Sequence, residues 1–130
     1  MITKRQAAII SAYTGLAFGN FSDTREYIEE LMKKDSSVDP FGFDDSLKSA
    51  SKQDFLDLPV NEEGGITDRE AAIITGVTGI CLGDFGVAHL YFEKLLKRSI
   101  WTHEMAFGKV WDEIKEAAMP EFLSLSDNVV

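Results

Sequence analysis

The chain repeats itself, and that repeat limits what it can fold into. The segment ITKRQAAIISAYTGLAFGNFSDTREYIEELMKK, starting at Ile2, aligns without a gap on ITDREAAIITGVTGICLGDFGVAHLYFEKLLKR, starting at Ile66. Ile2 falls on Ile66, Arg5 on Arg69, Ile9 and Ile10 on Ile73 and Ile74, Gly15 on Gly79, Phe21 on Phe85, and Tyr27 on Tyr91. Identity at close to half of the positions marks a tandem duplication. After a short change of register the match resumes, with Leu47-Lys48 on Ile114-Lys115, Ala50 on Ala117, and Phe55-Leu56 on Phe122-Leu123. The sequence therefore divides into repeat one at 2–58, a linker at 59–65 and repeat two at 66–125, within a single domain spanning 1–130.

Each repeat reads as three helices. Thr3 with Gln6, and Thr67 with Glu70, have the spacing of capping boxes and open a first helix. Ile9, Ile10, Tyr13 and Leu16, and their counterparts Ile73, Ile74, Val77 and Ile80, recur at helical spacing as a core stripe. Gly19 and Gly83 are expected to end these helices. A second helix is expected from about Asp23 to Lys34 with Tyr27, Ile28, Leu31 and Met32 inward; its twin uses Tyr91, Phe92, Leu95 and Leu96. A third spans about Asp45 to Lys52 in repeat one and about Lys109 to Ala118 in repeat two, where Pro120 should stop it. The expected fold is mainly α, with two tandem three-helix units packed about a pseudo-twofold axis, a fused form of an isologous dimer.

A length of 130 residues with 45% hydrophobic content supports a core without disulfides or metal. The longest apolar stretch, Ala71 to Leu82, is interrupted by Thr75, Gly76, Thr78 and Gly79 and falls short of the ~20 residues a membrane span needs. No secretory leader is read at the N-terminus, and the expected location is a cytoplasm. Cys81 is the only cysteine; its GICLG setting suggests a buried, inert thiol. A net charge of −9 disfavours direct binding to nucleic-acid phosphates and suits a basic surface on a partner.

Catalytic patterns are missing. His103 and Glu104 adjoin, but the metalloprotease spacing needs a second histidine where Phe107 stands, so a metal site would need carboxylates to complete it. Thr102 reads as a helix cap. The glycines Gly15, Gly19, Gly79 and Gly83 lack the strand context of a dinucleotide fingerprint, and read instead as a helical Gly-x-x-x-Gly spacing that lets backbones approach where the repeats cross. An alternative is that Thr14-Gly15 and Thr78-Gly79 offer hydroxyl and backbone groups to a ligand. Arg5 and Arg69 sit in helix first turns, where a cation opposes the macrodipole, and need a carboxylate or a phosphate to compensate. Glu29 and Glu93, retained in both repeats, are the expected carboxylates.

The strings ITKRQAAIISAYTG, FSDTREYIEE, WTHEMA and VWDEIKEAA resemble a family of small proteins of unsettled function, encoded mainly by phages and prophages, in which one copy of the unit carries all four motifs. In this chain the motifs are divided. Repeat one keeps Tyr13-Thr14-Gly15 and Ser22-Asp23 without a counterpart of Thr102-His103-Glu104; repeat two keeps that motif but has Val77 and Gly86-Val87 at the other places. The resemblance implies a phage accessory protein. The expected site is a single composite of Tyr13, Thr14, Ser22, Asp23 and Arg25 with Trp101, Thr102, His103 and Glu104. Tyr13 and Trp101 would stack on a base, and Arg5, Arg25 or Arg69 would take phosphates. The expected function is non-enzymatic sequestration of a nucleotide-like host molecule in counter-defence, without cofactor. The alternatives are a protein-directed, anti-CRISPR-type inhibitor of a host defence protein, using acids around Glu26, Glu29, Glu30, Asp44 and Asp45, and a structural or assembly protein forming homo-oligomers.

Overall fold

The structure, a computed structural model, describes residues 2–39, 45–61, 65–106 and 108–130. Asp44, Phe107 and the linker residues Glu62, Glu63 and Gly64, which figured in the sequence reading, lie outside the described residues. The chain is mainly α: α1 (Lys4–Thr14), α2 (Phe21–Lys34), α3 (Ser46–Leu56), α4 (Asp68–Thr78), α5 (Phe85–Leu96), a short 3₁₀ helix (Thr102–Ala106) and α6 (Gly108–Asp127). Its contacts divide it into two compact three-helix units. Unit 1 is Met1–Pro59 with Leu125–Val130, and unit 2 is Val60–Ser124.

In unit 1, α1 starts as the sequence predicts. The Thr3 hydroxyl accepts the Gln6 N–H and the Gln6 side chain accepts the Thr3 N–H, satisfying two of the orphan donors of the first turn. The helix ends four residues earlier than expected, at Thr14. Gly15 follows at φ +77°, a left-handed cap whose N–H donates to the Ser11 carbonyl. The buried Ser11 hydroxyl then donates to the Phe18 carbonyl at 2.7 Å and accepts the Phe18 N–H at 2.9 Å, which folds the chain back toward α1. Asn20 caps α2 through the Ser22 N–H, so α2 opens at Phe21 rather than at Asp23.

Unit 2 repeats this construction. Thr67 and Glu70 form the box, and Gly79 at φ +72° ends α4 after Thr78. The buried Thr75 hydroxyl takes the place of Ser11 and accepts the Leu82 N–H at 3.0 Å. Asp84 caps α5. The Gly-x-x-x-Gly pairs are therefore not helical: Gly15 and Gly79 are helix caps, and Gly19 and Gly83 are left-handed loop residues. A Cβ on Gly19 would lie 2.9 Å from the Ala7 Cβ, and one on Gly83 would lie 2.9 Å from Val60. Glycine is needed there for conformation and for space. Cys81 falls in this loop rather than in a helix interior. Leu82 turns inward, and Cys81 is left exposed.

The segment leading into the first helix of each unit is fastened by a second segment. In unit 1 the Lys4 N–H donates to the Val130 carbonyl and the Val130 N–H to the Ile2 carbonyl, while Gly19 N–H donates to the Ser126 hydroxyl at 2.7 Å. In unit 2 the Asn61 N–H donates to the Ile66 carbonyl, alongside a bridge between Val60 and Ile66. Val129 lies against Gly19 as Val60 lies against Gly83. The residues that follow repeat two thus complete unit 1, and the linker that follows repeat one opens unit 2.

The third helices are longer than the sequence reading, and Phe55-Leu56 and Phe122-Leu123 are helical. α6 runs through Pro120. Proline removes one intrahelical donor and crowds the carbonyl four residues back, that of Glu116. Pro120 and Glu116 both lie on the exposed side of the helix, while buried Ala118 and Phe122 hold it on the core. Met32, expected inside, is exposed.

One polar clasp recurs and ties the helices of each unit. In unit 1 the Tyr27 hydroxyl donates to Asp54 at 2.6 Å, joining α2 to α3. Arg5 pairs with Glu30 at 2.9 Å and lies 5.4 Å from the Tyr27 ring centre, joining α1 to α2. In unit 2 Tyr91 donates to Glu121, the counterpart of Asp54, and Arg69 pairs with the same Glu121 at 3.0 Å. The partner differs because Glu30 is replaced by Lys94. Glu29 and Glu93, expected to pair with these arginines, do not: Glu29 pairs with Arg25, and Glu93 accepts the Ile100 N–H. Burial, followed by the hydrogen bond to the carboxylate, raises the pKa of both tyrosines well above the ordinary phenol value.

A phenol whose pKa is raised by folding contributes stability that is complete below the unfolded value, about 10, and is lost as pH rises through the folded value. Alkaline unfolding should therefore steepen above about pH 10, and Tyr27→Phe with Tyr91→Phe should flatten that decline. At neutral pH each substitution should cost about 1–2 kcal/mol in chemical denaturation, because a half-buried carboxylate loses its donor. In the loops, Gly15→Ala meets open space and should cost about 1 kcal/mol for its left-handed backbone. Gly19→Ala should cost clearly more in the same assay, since it adds the Ala7 clash.

Candidate ligand-binding site

Repeat-one candidates lie on α1 and α2. The Tyr13 ring is half-buried and stacked on Phe55, with centroids 4.4 Å apart, and the Lys48 ammonium lies 5.4 Å from its centre. The Thr14 hydroxyl donates to the Ile10 carbonyl and accepts the Leu16 N–H. Ser22 is exposed and donates to Asn20. Arg25 makes a surface pair with Glu29, 3.7 Å away. Arg5 and Asp23 line a polar hollow of about 240 Å³ with Lys4, Glu26, Tyr27 and Glu30. The Arg5 guanidinium is already held by Glu30, whose hydrogen bond raises its pKa further. Phosphate binding by Arg5, Arg25 or Arg69 would have to displace a carboxylate from each.

The same pairings bear on the acidic face. Glu29 and Glu30 are neutralised by Arg25 and Arg5, and Glu26 remains exposed on the polar hollow.

Unit 1 also has an apolar hollow of about 410 Å³, lined by Leu16, Ala17, Phe18, Phe21, Ile28 and Leu47 among others. Phe21 is 75% exposed. It is identical in both repeats, yet the core does not account for it.

Repeat-two candidates gather around the segment between α5 and α6. Lys97 ends α5 in the left-handed region at φ 57°, whereas its counterpart Lys33 is still helical in α2. A non-glycine residue there carries strain. Ile100 is buried, and the next residue, Trp101, is 67% exposed. The Trp101 N–H donates to Glu104 and the Trp101 carbonyl accepts the Glu104 N–H, so Trp101 rather than Thr102 occupies the capping position of the 3₁₀ helix. The His103 ring lies 6.3 Å from the indole with 22° between the planes. Thr102 and His103 are exposed.

Glu104 also takes Arg98, at 3.0 Å, and Arg98 reaches on to Glu113 at 3.1 Å. The Trp101 N–H, and then Arg98, hold the Glu104 carboxyl below its usual range. Arg98, Glu104, Lys109, Val110 and Glu113 line a hollow of about 450 Å³ beside this turn, a volume within the range of small-ligand sites. Two cations, Arg98 and Lys109, and two carboxylates, Glu104 and Glu113, thus share this hollow, while the exposed indole and imidazole stand on the adjoining 3₁₀ turn. Among the described residues no cluster of His, Cys, Asp or Glu has the makings of a metal site.

Arg98, Lys109 and Glu113 were not singled out by the sequence. Arg98 reaches its two carboxylates from the loop across to the 3₁₀ helix and to α6, and no helical or strand period connects them.

No curated protein and no solved structure matches the chain. A family described as a domain of unknown function, DUF7736, matches it twice, at residues 4–61 and 68–128. Both matches fall on the repeats described above and together cover nearly all of the chain, which therefore belongs to the DUF7736 family as a tandem pair of its domain.

Proposed function

We propose that this protein acts by binding and not by catalysis, as a phage accessory protein that takes up a small nucleotide-like host molecule and sequesters it in the host cytoplasm in a counter-defence role. The observation that carries the reading is Trp101, a largely exposed indole presented at the start of a short helix whose backbone Glu104 caps. Exposing so large an apolar ring forgoes roughly 1.5–3 kcal/mol of burial energy. Stacking of a base on an aromatic ring recovers about 1–3 kcal/mol. Lys109, on the adjoining hollow, supplies positive charge for a phosphate, and Arg98 would join it on exchanging one of its two carboxylates for the ligand. The resemblance of the four sequence motifs to phage-encoded proteins supports the biological setting. Absence of a nucleophile–base pair or phosphate loop in the sequence favours stoichiometric capture.

The test is calorimetry and tryptophan-fluorescence quenching with AMP, cyclic nucleotides and ADP-ribose. One of these should bind near one equivalent, and Trp101→Ala should weaken it by about 1–3 kcal/mol. Lys109→Ala should weaken a phosphorylated ligand and leave the corresponding nucleoside unaffected. No binding across the set would overturn the reading. Salt-sensitive capture of a host protein in its place would transfer support to a protein-directed inhibitor that exploits the net charge of −9.

A further inference from the structure

We propose that His89 and Glu93 are positioning residues that hold Trp101 ready for its ligand; this rests on the binding reading above. Ile100 is the residue they act through. Its N–H donates to the Glu93 carboxylate at 2.9 Å. Its carbonyl lies 2.7 Å from His89 Nε2 and, being able only to accept, takes a hydrogen from that nitrogen. Both backbone polar groups of Ile100 are thereby fixed to α5, and its side chain is buried in a cluster with Phe92, Val110 and Ile114. Trp101 follows with its own N–H fixed by Glu104. An aromatic ring left in water is thus mounted on a backbone whose neighbouring polar groups are immobilised.

Comparison of the repeats separates this role from ordinary fold maintenance. Glu29 and Glu93 are the same residue at the same repeat position. In unit 1 Glu29 makes an exposed pair with Arg25; in unit 2 the position of Arg25 is His89, and both His89 and Glu93 turn onto Ile100. Lys33 and Lys97 are likewise identical, but only Lys97 leaves the helical region, and the helix ends before the loop. The fold of the unit can be built without these changes, as unit 1 demonstrates. They occur in the segment that presents the exposed tryptophan, and fixing such a segment before the ligand arrives lowers the ordering cost of binding.

The experiment uses the full chain labelled with 5-fluorotryptophan, its Trp101 resonance assigned by Trp101→Phe. Glu93→Ala and His89→Phe remove one bond each to Ile100, while Glu93→Gln keeps an acceptor and His89→Gln keeps an N–H donor. The first pair should move the Trp101 fluorine signal toward the value of free fluorotryptophan, increase acrylamide quenching, and weaken AMP binding roughly two- to tenfold by restoring the ordering cost. The conservative pair should preserve all three. An unchanged Trp101 signal in both disruptive variants, or equal effects in the disruptive and conservative pairs, overturns the proposal. If Glu93→Ala does not fold, His89→Phe against His89→Gln decides it. Loss of Trp101 order in the variants of a protein that binds no nucleotide would uphold the positioning role and overturn only the ligand class.

Discussion

The hydrogen bond from a second-helix tyrosine to a third-helix carboxylate, Tyr27 to Asp54 and Tyr91 to Glu121, is the constraint that fixes the third helix of each unit against the second. The first two helices of a unit are joined by a short loop with its own buried hydroxyl lock. The third comes from farther along the chain, and local geometry does not place it. A phenol packed between helices, as Tyr27 is in the core, pairs its hydroxyl with that carboxylate at one register of the third helix, so the bond specifies an arrangement that apolar packing alone would leave looser. An arginine from the first helix completes the set.

Divergence between the repeats shows which parts of that clasp are constrained. Tyrosine and carboxylate are kept, with aspartate exchanged for glutamate. The arginine is kept too, but its partner moves from Glu30 to Glu121 where Lys94 has removed the first carboxylate. Surface ion pairs contribute little and tolerate such exchange; the buried end of the clasp does not. The compensation required of a cation in a helix first turn is met by carboxylates in both units.

The same comparison gives the segment 97–104 its interest. Much of unit 2 can be mapped on unit 1 residue by residue, but here identical residues behave differently: Lys97 is left-handed, and Glu93 holds a loop instead of a neighbouring side chain. Arg98 gathers Glu104 and Glu113 around an open hollow. Of the two aromatic residues that the sequence offered as stacking platforms, Tyr13 already has Phe55 and Lys48 as partners, and Trp101 keeps most of its surface in water.

Repeat, helical class and first-helix starts were determined by sequence alone, because identity between copies, capping boxes and a helical apolar period act within a few residues of one another. Glycine punctuation was visible, but its meaning was not: four-residue spacing fits a helical face as well as a cap followed by a left-handed loop, and the choice fell to a buried hydroxyl that closes on a residue seven positions away. Pro120 was read as a stop because its local cost is large, and burial of Ala118 and Phe122 overrode it. Tertiary structure alone decided which carboxylate each arginine takes, that His89 and Glu93 converge on Ile100, and that Trp101 is exposed. These depend on side chains brought together from separate helices, where no sequence period connects the partners.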